Sequence, residues 1–177
     1  MTEIGTTITG LLRDVPDFPK PGIQFKDIAP LLADGAAFDA VIRALAASAL
    51  CGADTVDIVA GIEARGFLIA GALACELGCG LVPVRKAGKL PPPTLRRSYE
   101  LEYGSAEIEV PEGLLAGKRV VLVDDVLATG GTLRAAADLI AEAGGTVIGM
   151  AVIVELGFLG GRAALSGLPE LQALATL

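Results

Sequence analysis

The stretch from Arg119 to Thr132, RVVLVDDVLATGGT, restricts this 177-residue chain more than any other. An apolar run, Val120 to Val123, leads into two adjacent carboxylates, Asp124 and Asp125. A turn of small residues follows, and then helical sequence from Leu133 to Ala143. Such a run reads as a strand buried on both faces of a parallel sheet. The turn delivers the chain to a helix N-terminus, where unpaired N–H groups and the helix dipole favour an anion. Gly130 and Gly131 allow the backbone to close on a ligand, because they lack Cβ. The hydroxyls of Thr129 and Thr132 add hydrogen bonds to phosphate oxygens, and the carboxylates suit sugar hydroxyls or a metal ion. Taken alone, the segment would also fit an ordinary buried strand with a capped helix. Its combination of groups is what a sugar phosphate demands.

Helical and strand patterns alternate along the rest of the chain. Gly5 to Arg13 reads as a helix, Val15 to Gly22 as a proline-rich loop, and Ala36 to Leu50 as a helix with Asp34 as N-cap. Val56 to Ala60 reads as a strand, Gly66 to Leu77 as a helix closed by Gly78, and Leu81 to Arg85 as a strand. Lys86 to Leu95, with three consecutive prolines, reads as an irregular loop. Arg97 to Tyr103 and Ser105 to Val110 read as a hairpin whose second arm alternates polar and apolar residues. The strand Arg119 to Asp124 precedes a helix from Thr132 to Ala143. A strand over Val147 to Val154, a short helix near Leu159 to Leu165 and a strand near Leu171 complete the pattern. The alternation implies an α/β domain with a mostly parallel sheet and an antiparallel insertion. In such sheets ligands bind at the carboxyl ends of the strands, where Asp124 and Asp125 fall.

Composition removes several chemistries. The net charge of −7 disfavours a nucleic-acid partner. Mean hydropathy is high at +0.62, yet no charge-free apolar run has the ~18 residues of a spanning helix, so no membrane partner is expected. The first residues lack the features of a signal peptide, which makes the cytosol the expected compartment. Three cysteines, Cys51, Cys75 and Cys79, point to free thiols, with Cys75 and Cys79 read as buried small hydrophobes. The chain has no histidine, which excludes a histidine-based nucleophile system and a His-ligated zinc.

Two further segments fall at predicted strand ends. Gly61 to Phe67, GIEARGF, carries Arg65 just before a helix. Arg85, Lys86 and Lys89 gather after the next strand, either as a solvated loop or as a fork and point charges for a polyanion such as pyrophosphate.

With these segments in order, the sequence resembles the type I phosphoribosyltransferases and, within them, the adenine-specific members. VVLVDDVLATGGT carries the general resemblance. FPKPGIQFKDIAPLL (Phe18 to Leu32), GIEARGF, VRKAGKLP (Val84 to Pro91) and SYELEYG (Ser98 to Gly104) carry the narrower one. The resemblance implies a single domain over residues 1–177 with the type I phosphoribosyltransferase fold. Residues 1–35 would form a small N-terminal hood on the core, and an antiparallel hairpin would form a flexible loop.

The resemblance further implies that Ala128, Thr129, Gly130, Gly131 and Thr132 hold the 5′-phosphate and that Asp124 and Asp125 bind the ribose hydroxyls. Glu63, Ala64, Arg65 and Gly66 would form the pyrophosphate loop, with a non-proline cis peptide between Glu63 and Ala64. Arg65, Arg85, Lys86 and Lys89 would neutralise the diphosphate. Gln24, Phe25 and Lys26 would grip adenine opposite Val126, although Phe25 without the motif is simply a core aromatic. Glu102 and Tyr103 would close over the reacting centre, with Glu102 handling the purine N7 proton. The implied reaction joins adenine to 5-phosphoribosyl 1-diphosphate, giving AMP and diphosphate. It would use Mg²⁺ bound mainly through the substrate, with no all-protein metal site, in a homodimer. A 6-oxopurine substrate is disfavoured by QFKDI and LEYG. A non-catalytic regulator is disfavoured because fewer than two dozen residues precede the base-binding stretch. A plain dinucleotide-binding domain lacks its G-x-G-x-x-G.

Overall fold

The computed structural model of the protein describes residues 2–48, 56–101 and 104–177. The chain opens with α1 (Glu3–Leu11), β1 (Arg13–Pro16), β2 (Gln24–Asp27), α2 (Ala29–Ala33) and α3 (Gly35–Ala46). Then come β3 (Ile58–Ile62), α4 (Gly66–Leu77), β4 (Gly80–Lys86), β5 (Thr94–Leu101) and β6 (Gly104–Pro111). The last third holds β7 (Arg119–Leu127), α5 (Gly131–Glu142), β8 (Thr146–Glu155), two 3₁₀ turns (Gly157–Leu159 and Gly161–Leu165) and β9 (Leu171–Thr176).

The main sheet runs β5-β6-β4-β3-β7-β8-β9. Strands β4, β3, β7, β8 and β9 are mutually parallel, and the β5–β6 hairpin adds antiparallel to the β4 edge. This is the mixed α/β fold that the alternation implied. Val120 and Leu122 face one buried layer with α5 residues such as Leu133, Ala136 and Ile140. Val121 and Val123 face the other, with Ile8, Leu31, Val41, Leu45, Ile69 and Leu73 from α1 to α4. A strand packed on both sides has no polar face to show, which is why β7 reads as an unbroken apolar run. No helix among the described residues is long and apolar enough to cross a membrane.

Several sequence-based boundaries are corrected. Arg13 ends the helix pattern by entering β1, and Val15–Pro16, expected in a loop, pair with Phe25–Gln24 in a two-stranded sheet. Lys86, Thr94 and Leu95, also expected in the loop, belong to β4 and β5. Strand β7 does not stop at Asp124: Asp124, Val126 and Leu127 stay in register with Val152, Val154 and Glu155 of β8. Of the cysteines, Cys75 is exposed rather than buried, because it lines an open groove with Phe38 and Ile42 of α3; Cys79 is half-buried, and neither is in a disulfide. Cys51 lies outside the described residues. Asp34 does cap α3, accepting from Ala37 N at 3.0 Å.

Asp57 ties the start of β7 to the approach to β3. Its Oδ2 accepts from Arg119 N at 2.8 Å and Nε at 3.1 Å, and its Oδ1 from Nη2 at 3.1 Å. The Arg119 side chain, and then its backbone N–H, hold the Asp57 carboxyl down to about 2 from 3.8. A depressed carboxyl contributes stability that is present above its unfolded value and lost as pH falls through its folded one. Asp57→Asn is therefore expected to flatten the pH dependence of the urea midpoint between 3.8 and about 2. An unaltered slope in that window would contradict the assignment.

Candidate active site

Strand order reverses between β3 and β7: the chain moves from β3 outward to β4, and from β7 outward to β8 and β9. At such a switch point the loops leaving the two strands diverge and open a crevice at their carboxyl ends. The loop after β3 is Glu63–Arg65, and the one after β7 is Ala128–Gly130. The resemblance implies the pyrophosphate and phosphate segments on these two loops, and the contact of Arg65 with Asp125, 60 residues apart in the chain, brings the first loop beside the end of β7.

The β7 loop and the start of α5 line a small cavity of about 70 Å³ with Asp124, Val126, Leu127, Ala128, Thr129, Gly130, Thr132 and Leu133. Gly130 is the N-cap of α5 in the left-handed region (φ 85°), and no side chain caps the helix. The first-turn N–H groups of α5 are thus presented at the loop, a setting that favours an anion. Support comes from the 3₁₀ turn at Gly161, within the short helix expected near Leu159 to Leu165, although its close packing on the loop leaves no trace in the sequence. A Cβ on Gly161 would stand 2.2 Å from Ala128 O, and one on Gly130 would stand 2.4 Å from Gly161 O. Two glycines in backbone contact leave no room for a side chain at either position.

The acidic pair sits where that loop leaves the sheet. Asp125, 4% exposed, pairs with Arg65 Nε, and its N–H donates to Asp124 Oδ1 at 2.9 Å. Burial, and then the neighbouring charge of Asp125, push the Asp124 carboxyl well above its usual range. The N-terminus of α4 approaches closely: a Cβ on Gly66 would lie 3.0 Å from Val123 O and 3.1 Å from Asp124 Oδ1. Arg65 also lies over the Phe25 ring, 5.3 Å from its centroid, and Phe18 meets Phe25 edge-on at 5.1 Å. Arg65 therefore joins β2 to the acidic pair, a link that spacing gave no means of finding. Lys26 turns its side chain to Asp14 across the small sheet, Nζ to Oδ1 2.5 Å. Gln24 is exposed at the start of β2.

The peptide bond between Glu63 and Ala64 is cis, as the resemblance implied. The Glu63 carboxylate accepts from Arg85 Nε at 3.3 Å and Lys86 N at 3.0 Å, and Lys89 Nζ stands 3.8 Å from it. Burial raises its pKa, but the Lys86 N–H and the Arg85 guanidinium outweigh burial and leave it below the usual value. Arg85 at the end of β4 and Lys89 after it are thereby drawn to the loop after β3, whereas Lys86 contributes its backbone N–H and is exposed. On the hairpin side, Arg97 ties β5 to α5 through Asp138 at 3.0 Å and through Glu142. Thr132 Oγ1 donates to Tyr99 Oη at 3.3 Å, linking β5 to the start of α5. Glu102 and Tyr103 lie outside the described residues. Among the described residues, no group of three or more Asp, Glu, Cys or His is placed to hold a metal ion.

Known proteins share this arrangement. Residues 31–163 match the family model "Phosphoribosyl transferase domain". An adenine phosphoribosyltransferase of Thermobifida fusca is 55% identical, covering 99% of each chain. The crystal structure of adenine phosphoribosyltransferase from Thermoanaerobacter pseudethanolicus superposes with a TM-score of 0.91 at 47% identity, over 97% of this chain and 99% of that one. The Saccharomyces cerevisiae enzyme, complexed with an imino-altritol bisphosphate and adenine, gives a TM-score of 0.88 at 36% identity, over 96% and 98% of the two chains. On the fold, the switch-point site and these likenesses, the chain belongs to the phosphoribosyltransferase family, among the adenine phosphoribosyltransferases.

Proposed function

We propose that the protein transfers the phosphoribosyl group of 5-phosphoribosyl 1-diphosphate to adenine, releasing AMP and diphosphate in purine salvage. The observation that carries this reading is the meeting of two loops at one strand-order reversal. One offers uncapped helix N–H groups and two carboxylates, and the other is ringed by Arg65, Arg85 and Lys89. An anion at each end and a hydroxylated sugar between them match that layout.

In this reading the N–H groups and hydroxyls of Ala128–Thr132 fix the 5′-phosphate. Asp124 and Asp125 accept from the ribose hydroxyls, and Arg65, Arg85, Lys86 and Lys89 face the diphosphate. Gln24, Phe25 and Lys26, opposite Val126, hold the adenine ring. Departure of diphosphate leaves positive charge on the ribose and negative charge on the leaving group. Fixed charges on both sides lower that barrier by preorganisation, and the chain needs no covalent intermediate. Glu102 exchanges the purine N7 proton, and Tyr103 closes with it over the centre. Two neighbouring carboxylates, without a third ligand among the described residues, suit a hard cation that arrives largely on its substrate. Mg²⁺ is that cation in this reading, and when bound it neutralises the leaving diphosphate. A homodimer in the cytosol belongs to the same reading, with exposed Leu68, Leu81 and Phe158 as surface for a second copy to cover.

The direct test is incubation with labelled adenine, phosphoribosyl diphosphate and Mg²⁺, with AMP as readout and hypoxanthine and guanine in parallel. AMP formation with adenine alone is expected; product only with the 6-oxopurines, or none, would overturn the assignment. Gly161→Ala supplies a second test. Its Cβ would meet Ala128 O, so the loop must shift, and a shift of an ångström in a positioning element costs up to about 10²-fold. The KM for phosphoribosyl diphosphate should rise at least about tenfold. An unchanged KM would free Gly161 from any part in shaping the phosphate loop.

A further inference from the structure

Glu109 is fully buried on β6, and it meets Lys89, one of the cations assigned to the diphosphate, only at its backbone N–H. It sits in register opposite Arg85 of β4 and Arg96 of β5. Its Oε1 accepts from Lys89 N and Leu90 N, both at 2.7 Å. Its Oε2 accepts from Thr94 Oγ1 at 3.2 Å and Arg96 Nε at 3.0 Å. Two successive N–H groups, those of Lys89 and Leu90, thus converge on one carboxylate oxygen, and the neighbouring Gly88 N–H also favours its charged form. The other side of the turn is fixed as well, because Lys89 O accepts from Arg85 Nη1 at 3.0 Å.

We infer that Glu109 is a positioning residue that templates the Ala87–Leu90 turn and so sets Arg85 and Lys89 against the diphosphate-binding loop. The inference rests on the reading of these cations given above. Its geometric basis is that Lys89 has both its N–H and its carbonyl held, one by Glu109 and one by Arg85. From that backbone Lys89 Nζ reaches to 3.8 Å of Glu63 Oε1. Glu63 in turn accepts from Arg85 and from Lys86 N, which closes the circuit between the turn after β4 and the cis peptide after β3. Burial alone would favour a neutral Glu109, but the converging N–H groups hold its carboxyl down at about 2. The turn thus keeps its anionic anchor across the neutral range.

Glu109→Gln preserves size but puts an NH₂ group among donors. Calorimetry with pyrophosphate plus Mg²⁺, and separately with AMP, separates positioning from general support, because AMP carries no diphosphate. The variant should bind pyrophosphate about tenfold more weakly, the equivalent of one charge-assisted hydrogen bond, and bind AMP as the parent does. The KM for phosphoribosyl diphosphate should rise in step, with the KM for adenine unmoved, and Glu109→Asp should recover part of the loss. Leu90→Pro removes one donor and leaves the buried carboxylate in place. It should weaken pyrophosphate in the same sense, and so covers the case in which Glu109→Gln does not fold. Equal losses for both ligands, or undiminished pyrophosphate affinity, would overturn the inference. A parent protein that binds neither ligand would instead overturn the proposed function itself.

Discussion

The double replacement Asp124→Asn with Asp125→Asn will remove phosphoribosyl diphosphate binding, weakening it by about 10³-fold, while the chain stays folded. Each aspartate accepts from a ribose hydroxyl in the proposed complex, and hydrogen bonds to a charged group contribute about 1.5–3 kcal/mol each. Folding should survive because one of the two carboxylates is held at a cost. Burial, and then the charge of Asp125, raise the Asp124 carboxyl above its unfolded value. The sign follows: a group with a raised folded pKa contributes stability below its unfolded value and loses it as pH rises. At neutral pH the burial of Asp124 therefore works against the fold. Asp124→Asn alone should melt at or above the parent temperature at pH 7, with the difference closing as pH falls below 3.8. Calorimetric titration reads the binding and thermal denaturation reads the fold. Parent-like affinity in the double variant would end the ribose assignment, and a lower melting point for the single variant at pH 7 would contradict the electrostatic argument.

Glu102→Gln should lower kcat by about 10²-fold, the low end of what a positioned general acid or base supplies, with little change in phosphoribosyl diphosphate affinity. The chain has no histidine to take over proton transfer, so the loss has no ready substitute. The size of the loss should shrink for a purine analogue whose N7 position needs no proton exchange. Pre-steady-state measurement of AMP formation isolates the chemical step from product release. Unchanged turnover would remove Glu102 from the mechanism.

The elements of the sheet were legible because buried parallel strands leave unbroken apolar runs, as β3, β7 and β8 do. The small β1–β2 sheet was not legible, since RDVP and QFKD are four residues each and the intervening prolines read as loop. The end of β7 was misjudged because two carboxylates look like a strand terminus. Here the β8 ladder continues past them, and Arg65 supplies the countercharge that lets Asp125 stay buried. Alternation along Ser105–Val110 marks Glu109 only as a polar strand position, whereas the turn after β4 folds over it with its own N–H groups. Burial by a loop leaves no periodic trace in the strand beneath. The strand, the acidic pair and the small-residue turn before α5 were readable because they form one compact segment. The contacts of Arg65 with Asp125 and Phe25, and of Gly161 with Ala128, join distant segments, and only the fold brings them together.

The most direct measurement is the crystal structure of the protein with AMP bound. The 5′-phosphate is expected on the backbone N–H groups of Ala128–Thr132, the ribose hydroxyls on Asp124 and Asp125, and adenine against Phe25. A nucleotide seated away from the β3–β7 crevice, or with its phosphate remote from the start of α5, would contradict the account.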